Sequence, residues 1–349
     1  MELPIWKPIL ISYKDFLSHN VQSNTFDLKA YEVIDSYEHQ VKELFEILNI
    51  GKHNSEKERD DFVRTFVQSQ LGEIVLYPWV KKAARILSEE FFIKVRTNRN
   101  QNKITADEQD LLATKRVGII GMSVGRCVAT TMALERISGE LRLADFDTLD
   151  LSNLNRLKAP IYDLGLPKVV SVAREIATFD PFLNLTLYPE GATNDNLDAF
   201  LNVGGKLNVL VDECDSLEVK IRCRIWAKKY RIPVVMETSD RGMLDIERFD
   251  LEPDRPIFHG MIEDFDWELA LKDPNEKMKL LKRIVNFELL SERAKSSMAE
   301  IGKTLKTWPQ LASAVMHGGG AVTEATRKIL LDQNIPSGRY YLDFDEFIR

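Results

Sequence analysis

Between residues 145 and 168 the run DFDTLDLSNLNRLKAPIYDLGLPK carries Asp145, Asp147, Ser152, Asn153, Arg156 and Lys168 within a short stretch. An arginine and a lysine beside phosphate groups act as charge clamps for phosphoryl or nucleotidyl transfer, and a carboxylate at a strand end can take a ribose hydroxyl pair. Upstream, RVGIIGMSVGRCVA reads as a buried strand, a tight turn and the start of a helix. Its turn, Gly121-Met122-Ser123-Val124-Gly125, parses in two incompatible ways. As G-x-S-x-G it is a nucleophile elbow with Ser123 as the attacking hydroxyl. As a shortened G-x-G-x-x-G it brings phosphates to a helix N-terminus.

The hydrolase reading gains an HGGG run at His317–Gly320, but an oxyanion-hole loop should precede the nucleophile, and this run lies far after it. His317–Gly320 is expected instead to be a close-packed helix entry, and neither His259 nor His317 ends a convincing Asp-then-His series. The phosphate reading has Asp145, about twenty residues past Gly125, where a dinucleotide or nucleotide ribose is held in this geometry. Ser123 then neighbours a phosphate.

The surrounding chain says what must position these groups. From Lys115 onward, Arg116–Ile120, ELRLADFD, NLTLYPE, LNVLVDECD, IPVVMET and RYYLDF read as strands, and RCVATTMALERIS, PKVVSVAREIATF and LEVKIRCRIWAKKY as helices. Such alternation predicts an α/β fold, a doubly wound, mainly parallel Rossmann-like sheet, with the ligand outside the carboxyl ends of its strands. Gly121–Gly125, Asp145, Asp147 and Asp212–Ser216 then share one edge. Beyond Asp250 a long insertion carries a helix at EKMKLLKRIVNFELLSERAKSSMAEIG, and HGGGAVTEATRKILL reads as a glycine-led helix. Before the sheet, residues from about 25 to 92 read as helical, with Ile34, Tyr37, Val41, Leu44, Phe45 and Leu48 on one stripe. The polar stretch KVRTNRNQNKITADEQD marks the division, giving an N-terminal helical region over 1–92 and a sheet domain over 93–349.

Bulk properties narrow the class. With 44% hydrophobic and 29% charged residues in 349, the chain fits folded, soluble proteins. A net charge of −7 offers no basic footprint for nucleic acid, and no apolar run approaches a membrane span. The opening MELPIWKPIL lacks the order of a secretion signal. The 3 cysteines, Cys127, Cys214 and Cys223, are unpatterned, with no C-x-x-C for a zinc clasp, and suit a reducing cytoplasm.

The chain resembles the adenylyltransferases that activate ubiquitin and bacterial sulfur-carrier proteins (ThiF/MoeB type). Members carry a glycine turn, then D-x-D-x-x-x-x-S-N-L-x-R-Q, G-x-x-K and D-x-x-D-N. Here stand Asp145-Phe-Asp147, Ser152-Asn-Leu-Asn-Arg156, Gly165-Leu-Pro-Lys168 and Asp212-Glu-Cys-Asp215-Ser216, with RTNRN at Arg96–Asn100 similar to the family's R-Y-N-R-Q element. The resemblance runs from about residue 93 to 349. It implies an ATP- and Mg²⁺-dependent enzyme that joins a carboxylate to AMP. The carboxylate would belong to a ubiquitin-like or sulfur-carrier protein, a peptide or a small acid. It also implies a homodimer and these roles: Asp145 on the ribose; Gly121, Ser123, Gly125, Asp147, Ser152, Asn153, Arg156 and Ser216 around the nucleotide; Lys168 on the phosphates; Asp215 on Mg²⁺; and Arg99 as an arginine finger across the dimer.

The sequence also departs from that pattern. The glycine turn is one residue short, and Arg126 follows it, either as a further phosphate contact or as a solvent-facing charge. Leu157 replaces a glutamine and Ser216 an asparagine. No cysteine follows Cys223, so the segment after Asp240 cannot supply a thioester nucleophile, and the three cysteines read as small buried residues. Two other classes stay open: an NAD-dependent oxidoreductase on the same sheet, and a non-catalytic relative serving as a binding module.

Overall fold

The computed structural model describes residues 3–17, 30–53 and 55–348. The chain divides into two compact units, Met1–Gln109 with Ala173–Leu183, and Asp110–Val172 with Asn184–Arg349. The division drawn at 92/93 falls inside the first unit.

The first unit mixes strands with helices: β1 (Ile9–Ser12), α1 (Tyr13–Leu17), β2 (Glu32–Asp35), α2 (Tyr37–Leu48), α3 (Glu56–Ser69), β3 (Glu73–Tyr77), β4 (Lys82–Ile86), α4 (Glu89–Arg96) and the start of α5 (Ala106–Leu112). Its strands form a 4-stranded sheet in the order β1-β3-β4-β2. The expected all-helical stretch is therefore corrected, and its first residues, 25–29, lie outside the described ones. The Asp35 carboxylate accepts the Tyr37 N–H at 3.0 Å, so the helix begins after it. Ile34 consequently belongs to β2 and is exposed, whereas Tyr37, Val41, Leu44 and Phe45 are buried on α2. EIVLY and KAARI pair as antiparallel strands; short apolar runs of this length do not distinguish strand from helix by periodicity.

The second unit holds β5 (Arg116–Ile120), α6 (Gly125–Glu135), β6 (Glu140–Ala144), α7 (Lys168–Phe179, whose later residues group with the first unit), β7 (Asn184–Tyr188), α8 (Leu197–Asn202), β8 (Val209–Asp212), α9 (Leu217–Tyr230), β9 (Val234–Thr238), β10 (Met243–Glu247), α10 (Trp267–Ala270), α11 (Pro274–Ile284), α12 (Glu292–Glu300), α13 (Ala312–Leu330), β11 (Gly338–Tyr341) and α14 (Phe344–Phe347). Its 7-stranded sheet runs β11-β10-β9-β8-β5-β6-β7. The five strands from β9 to β7 are parallel and the β10 and β11 pairings antiparallel. This is the doubly wound sheet expected from the alternating pattern, and its central strands are apolar on both faces because both are covered. Strand order reverses between β5 and β8, so a crevice opens beyond their carboxyl ends.

Two helical expectations change. The insertion helix is two helices, α11 and α12. Between them Asn286 adopts φ +53° and the Ser291 hydroxyl caps α12 by accepting the Ala294 N–H. His317–Gly320 lies inside α13 and not at its entry, though the close packing holds. A Cβ on Gly319 would stand 2.5 Å from the Cys127 Sγ of α6, so the two helices meet through that glycine. Gly319→Ala is expected to cost about 1–3 kcal/mol, read from the denaturation midpoint, because neither helix can retreat from a filled core.

Candidate functional site

The glycine turn is shaped by backbone crowding. Gly121 has φ +90°, and a Cβ there would meet the Glu213 carbonyl oxygen at 2.5 Å. Its N–H donates to Ala144 O at 2.8 Å, tying the turn to the end of β6. The buried Asp145 carboxylate fastens the next link, accepting the Met122 N–H at 2.5 Å and the Asp147 N–H at 2.7 Å. Burial pushes this carboxyl above its usual range, against the Met122 amide and the Lys168 charge, which lower it. Two of its roughly four lone-pair positions are thereby used, leaving others for a ligand.

Arg156 comes from the loop after β6 and donates to the Ser123 Oγ at 3.0 Å. Burial lowers the Arg156 guanidinium, opposed by the Asp215 charge close to it, and its Nε is buried without a partner among the described residues. A guanidinium cannot take the proton of Ser123, which argues against the nucleophile elbow. Both histidines considered as a base for Ser123 are engaged elsewhere: His259 Nε2 lies 3.1 Å from Asp245, and His317 packs on Phe344 with ring centroids 4.7 Å apart. Lys168, buried at the start of α7, donates to Asp147 at 2.7 Å. Asn153 closes the short turn Leu151–Asn153 by accepting the Asp150 N–H at 3.0 Å, and Ser152 is exposed beside it. The loops after β5, β6 and β8 thus bring Gly121–Gly125, Asp145, Asp147, Arg156, Lys168 and Asp215 to one sheet edge.

The run after β8 separates into two kinds of residue. Asp212 is fully buried and accepts from Arg224 and, at 3.2 Å, from Lys220; against burial, which would raise it, these cations hold its carboxyl at about 2. Arg224 also donates to the buried Glu247 at 2.5 Å. Asp215, three residues on, is exposed. Ser216 is exposed too and caps α9, its hydroxyl accepting the Val219 N–H at 3.4 Å; the helix start explains a serine there.

Other expectations are also refined. Arg126 is not solvent-facing: it is buried and donates to Ser171 Oγ at 3.0 Å. Leu157 is a buried apolar anchor. Arg96 of RTNRN forms a 2.7 Å ion pair with the buried Asp180, whereas Arg99 is exposed on the turn Asn98–Asn100 of the first unit. Cys127 and Cys223 are buried and Cys214 half-buried; burial, then Asp212, raises the thiols of Cys214 and Cys223.

Sequence reasoning did not single out a cleft of about 1120 Å³ that opens beside this edge, with Val124, Glu213, Asp215, Lys220 and Glu237 in its wall. Glu213 directly follows β8 and Glu237 is the penultimate residue of β9, and Glu213 Oε1 accepts the Glu237 N–H at 3.2 Å. Burial pushes both carboxyls up, that of Glu237 to about 8. An acid raised in the folded state costs stability as pH climbs from its unfolded value of about 4.3 toward that level. Glu237→Gln is therefore expected to gain stability over the parent between about pH 5 and about pH 9, as compared by thermal melts.

The geometry agrees with relatedness found in whole sequences. A family model for the ThiF family matches residues 96–346. The chain belongs to the ThiF family. A Mycobacterium tuberculosis protein named as uncharacterized is 43% identical over 268 residues, which are 76% of this chain and 37% of that protein. The tRNA threonylcarbamoyladenosine dehydratase of Bacillus subtilis is 26% identical over 44% of this chain and 60% of its own length. The molybdopterin-synthase adenylyltransferase of Haemophilus influenzae is 23% identical over 44% and 63%. The chain thus spans between 37% and 63% of the length of these relatives. Among solved structures, Escherichia coli tRNA N6-threonylcarbamoyladenosine dehydratase in complex with AMP shares the fold, with TM-score 0.50 and 17% identity over 70% of this chain and 97% of that one. No described helix of this ThiF-family chain is long and apolar enough to cross a membrane.

Proposed function

We propose that this ThiF-family chain is an ATP-dependent adenylyltransferase that activates a carboxylate as an acyl-adenylate. The observation that carries the reading is the convergence of Arg156, Lys168, Asp145 and the exposed Asp215 on the glycine turn at the sheet's switch point. The relatives' names give it chemical company, one being a molybdopterin-synthase adenylyltransferase and a fold neighbour having been crystallised with AMP.

In this reading the turn amides of Gly121–Gly125 and the α6 N-terminus hold phosphate oxygens. Asp145 keeps lone pairs for the ribose, and Ser123, Ser152, Asn153 and Ser216 offer polar edges around the nucleotide. A substrate carboxylate oxygen bonds to the α-phosphorus as the bond to the bridging oxygen breaks, and pyrophosphate departs with that electron pair. Arg156 and Lys168 offset the charge building on the phosphates. Asp147, which orients Lys168, keeps that ammonium aimed at one place. Asp215, exposed and backed by Arg156, suits Mg²⁺, which takes one or two carboxylates and completes its shell with phosphate oxygens and water. When bound, the ion would supply charge neutralisation to the triphosphate. Arg99, exposed on its short turn, is assigned to a second copy's nucleotide in a homodimer.

The acyl group would leave to a separate nucleophile without an enzyme thioester: the segment after Asp240 carries no cysteine, and burial raises the thiols of Cys214 and Cys223. Substrates on this account are the C-terminus of a ubiquitin-like or sulfur-carrier protein, a peptide or a small acid, in the cytoplasm. ATP–pyrophosphate exchange screened against such carboxylates tests the reading. Exchange is expected with one class, is lost in Asp215→Ala, and persists in the triple variant with Cys127, Cys214 and Cys223 changed to serine. Exchange undiminished in Asp215→Ala removes the metal assignment, and a thiol-sensitive enzyme–substrate adduct removes the thioester-free route.

A further inference from the structure

We propose that Glu213 and Glu237 form a subsite in the cleft for a cationic group, a primary ammonium, carried by the carboxylate substrate. The inference rests on the adenylation reading for the word substrate, while the cation subsite itself stands on the geometry alone.

The first argument is a charge balance within the sheet end. Two cations, the half-buried Lys220 and the fully buried Arg224, are engaged by two buried anions: Asp212 accepts from both, and Glu247 accepts from Arg224. Glu213 and Glu237 are surplus to that balance. Glu237 is 5% exposed, and neither of its carboxyl oxygens has a hydrogen-bond partner among the described residues. Such a group is costly to leave unmatched, because a buried acceptor forfeits its water without replacement.

The second argument is placement. Both acids line the same cleft as Asp215 and Val124, the latter beside the glycine turn. Glu213 also packs on that turn, with its carbonyl under Gly121 and its Cβ 3.5 Å from where a Gly125 Cβ would be. A ligand whose carboxylate reaches the nucleotide therefore has the acid pair within the same cavity. The third argument is room made for the carboxyl: Gly318 of α13 abuts the Glu237 carboxylate, and any side chain there would collide with it. The cleft is also lined by the apolar Met236 and Leu217, which favour an alkyl stem ending in a charge over a hydrated metal ion.

The groups facing Glu237 are few in kind. Glu213 comes from the β8 end, Gly318 from α13, and Leu244 is its partner on β10, whereas Lys220 and Arg224 of α9 reach Met236, the preceding residue of β9. At neutral pH burial keeps the Glu237 carboxyl protonated. An entering ammonium displaces that proton to solvent, so binding tightens with pH until the amine itself deprotonates.

The test is titration calorimetry of the whole chain with butylamine hydrochloride and with butan-1-ol, in two buffers of different ionisation enthalpy near pH 7. The ammonium is expected to bind about ten-fold or more tighter than the alcohol, with a heat that differs between buffers through proton release. Glu237→Gln, isosteric and checked for folding by its melting curve, is expected to abolish both the preference and the buffer dependence. Equal affinity for the two probes, no binding of either, a buffer-independent heat in the parent chain, or an unchanged preference in Glu237→Gln overturns the subsite. A parallel exchange assay with hexanoate and 6-aminohexanoate separates this failure from that of the proposed function. Exchange with hexanoate alone sinks the subsite and keeps the adenylation, whereas ammonium binding without exchange by any carboxylate does the reverse.

Discussion

Lys168→Ala is expected to lower ATP–pyrophosphate exchange by about 10²–10³-fold, with little change in folding. The Lys168 ammonium is buried at the first turn of α7 and held 2.7 Å from Asp147, so its position is fixed before any ligand arrives. A preorganised charge of that kind stabilises a transition state without the cost of reorienting it. The alanine variant removes the charge and leaves Asp147 half-exposed to solvent, a situation water can relieve. Lys168→Arg keeps the charge but changes its reach and geometry, and should recover only part of the loss. Exchange rates at saturating ATP, set beside melting temperatures, check both statements. A loss in rate matched by a loss in folding would mean that Lys168 only braces the loop.

Arg224→Met is expected to destabilise the second unit by about 3–5 kcal/mol, the largest stability effect of any single change considered. Arg224 is fully buried, donates to Asp212 and Glu247, and lies 4.1 Å from the Phe258 ring centroid. Methionine fills much of the volume yet leaves two carboxylates facing each other in a dry interior with Lys220 alone to answer them. Asp212, held at about 2 in the folded chain, then rises toward or beyond its ordinary range. The parent chain should lose that contribution only as pH falls below the unfolded carboxyl value of about 3.9 toward about 2, whereas the variant should already be weak at neutral pH. Chemical denaturation at neutral and acid pH distinguishes the two profiles. Adding Asp212→Asn and Glu247→Gln to Arg224→Met should return part of the stability, since the stranded charges cause the loss.

The sheet and its glycine-turn edge were legible because their signals are local. Strand runs such as VGII and VLVD sit between helices of opposite period, and Gly121 must be glycine wherever a turn runs against another strand's carbonyl. The spacing from Asp145 to Lys168 was readable as a set; of it, Asp145 and Arg156 bond to the glycine turn and Lys168 bonds to Asp147. The first unit was less legible. EVID, EIVLY and KAARI are too short to show a period, and their pairing depends on residues far apart in the chain. The acid pair of the cleft was invisible for a related reason. Glu213 and Glu237 are ordinary glutamates in sequence; only the adjacency of β8 and β9, and the commitment of Lys220 and Arg224 to other carboxylates, makes them a pair. Asp212 and Asp215 illustrate the same limit within three residues, one buried in an ion network and the other exposed at the edge.

The central claim is that one ATP is held by Asp145, Arg156, Lys168 and Asp215 against the turn Gly121–Gly125. A crystal structure of the protein grown with ATP and Mg²⁺ tests it most directly. The account predicts the triphosphate along the turn amides with Arg156 and Lys168 on its oxygens, the ribose at Asp145, and Mg²⁺ between Asp215 and the phosphates. A nucleotide bound elsewhere, or one whose phosphates lie away from Lys168 and Arg156, would contradict it.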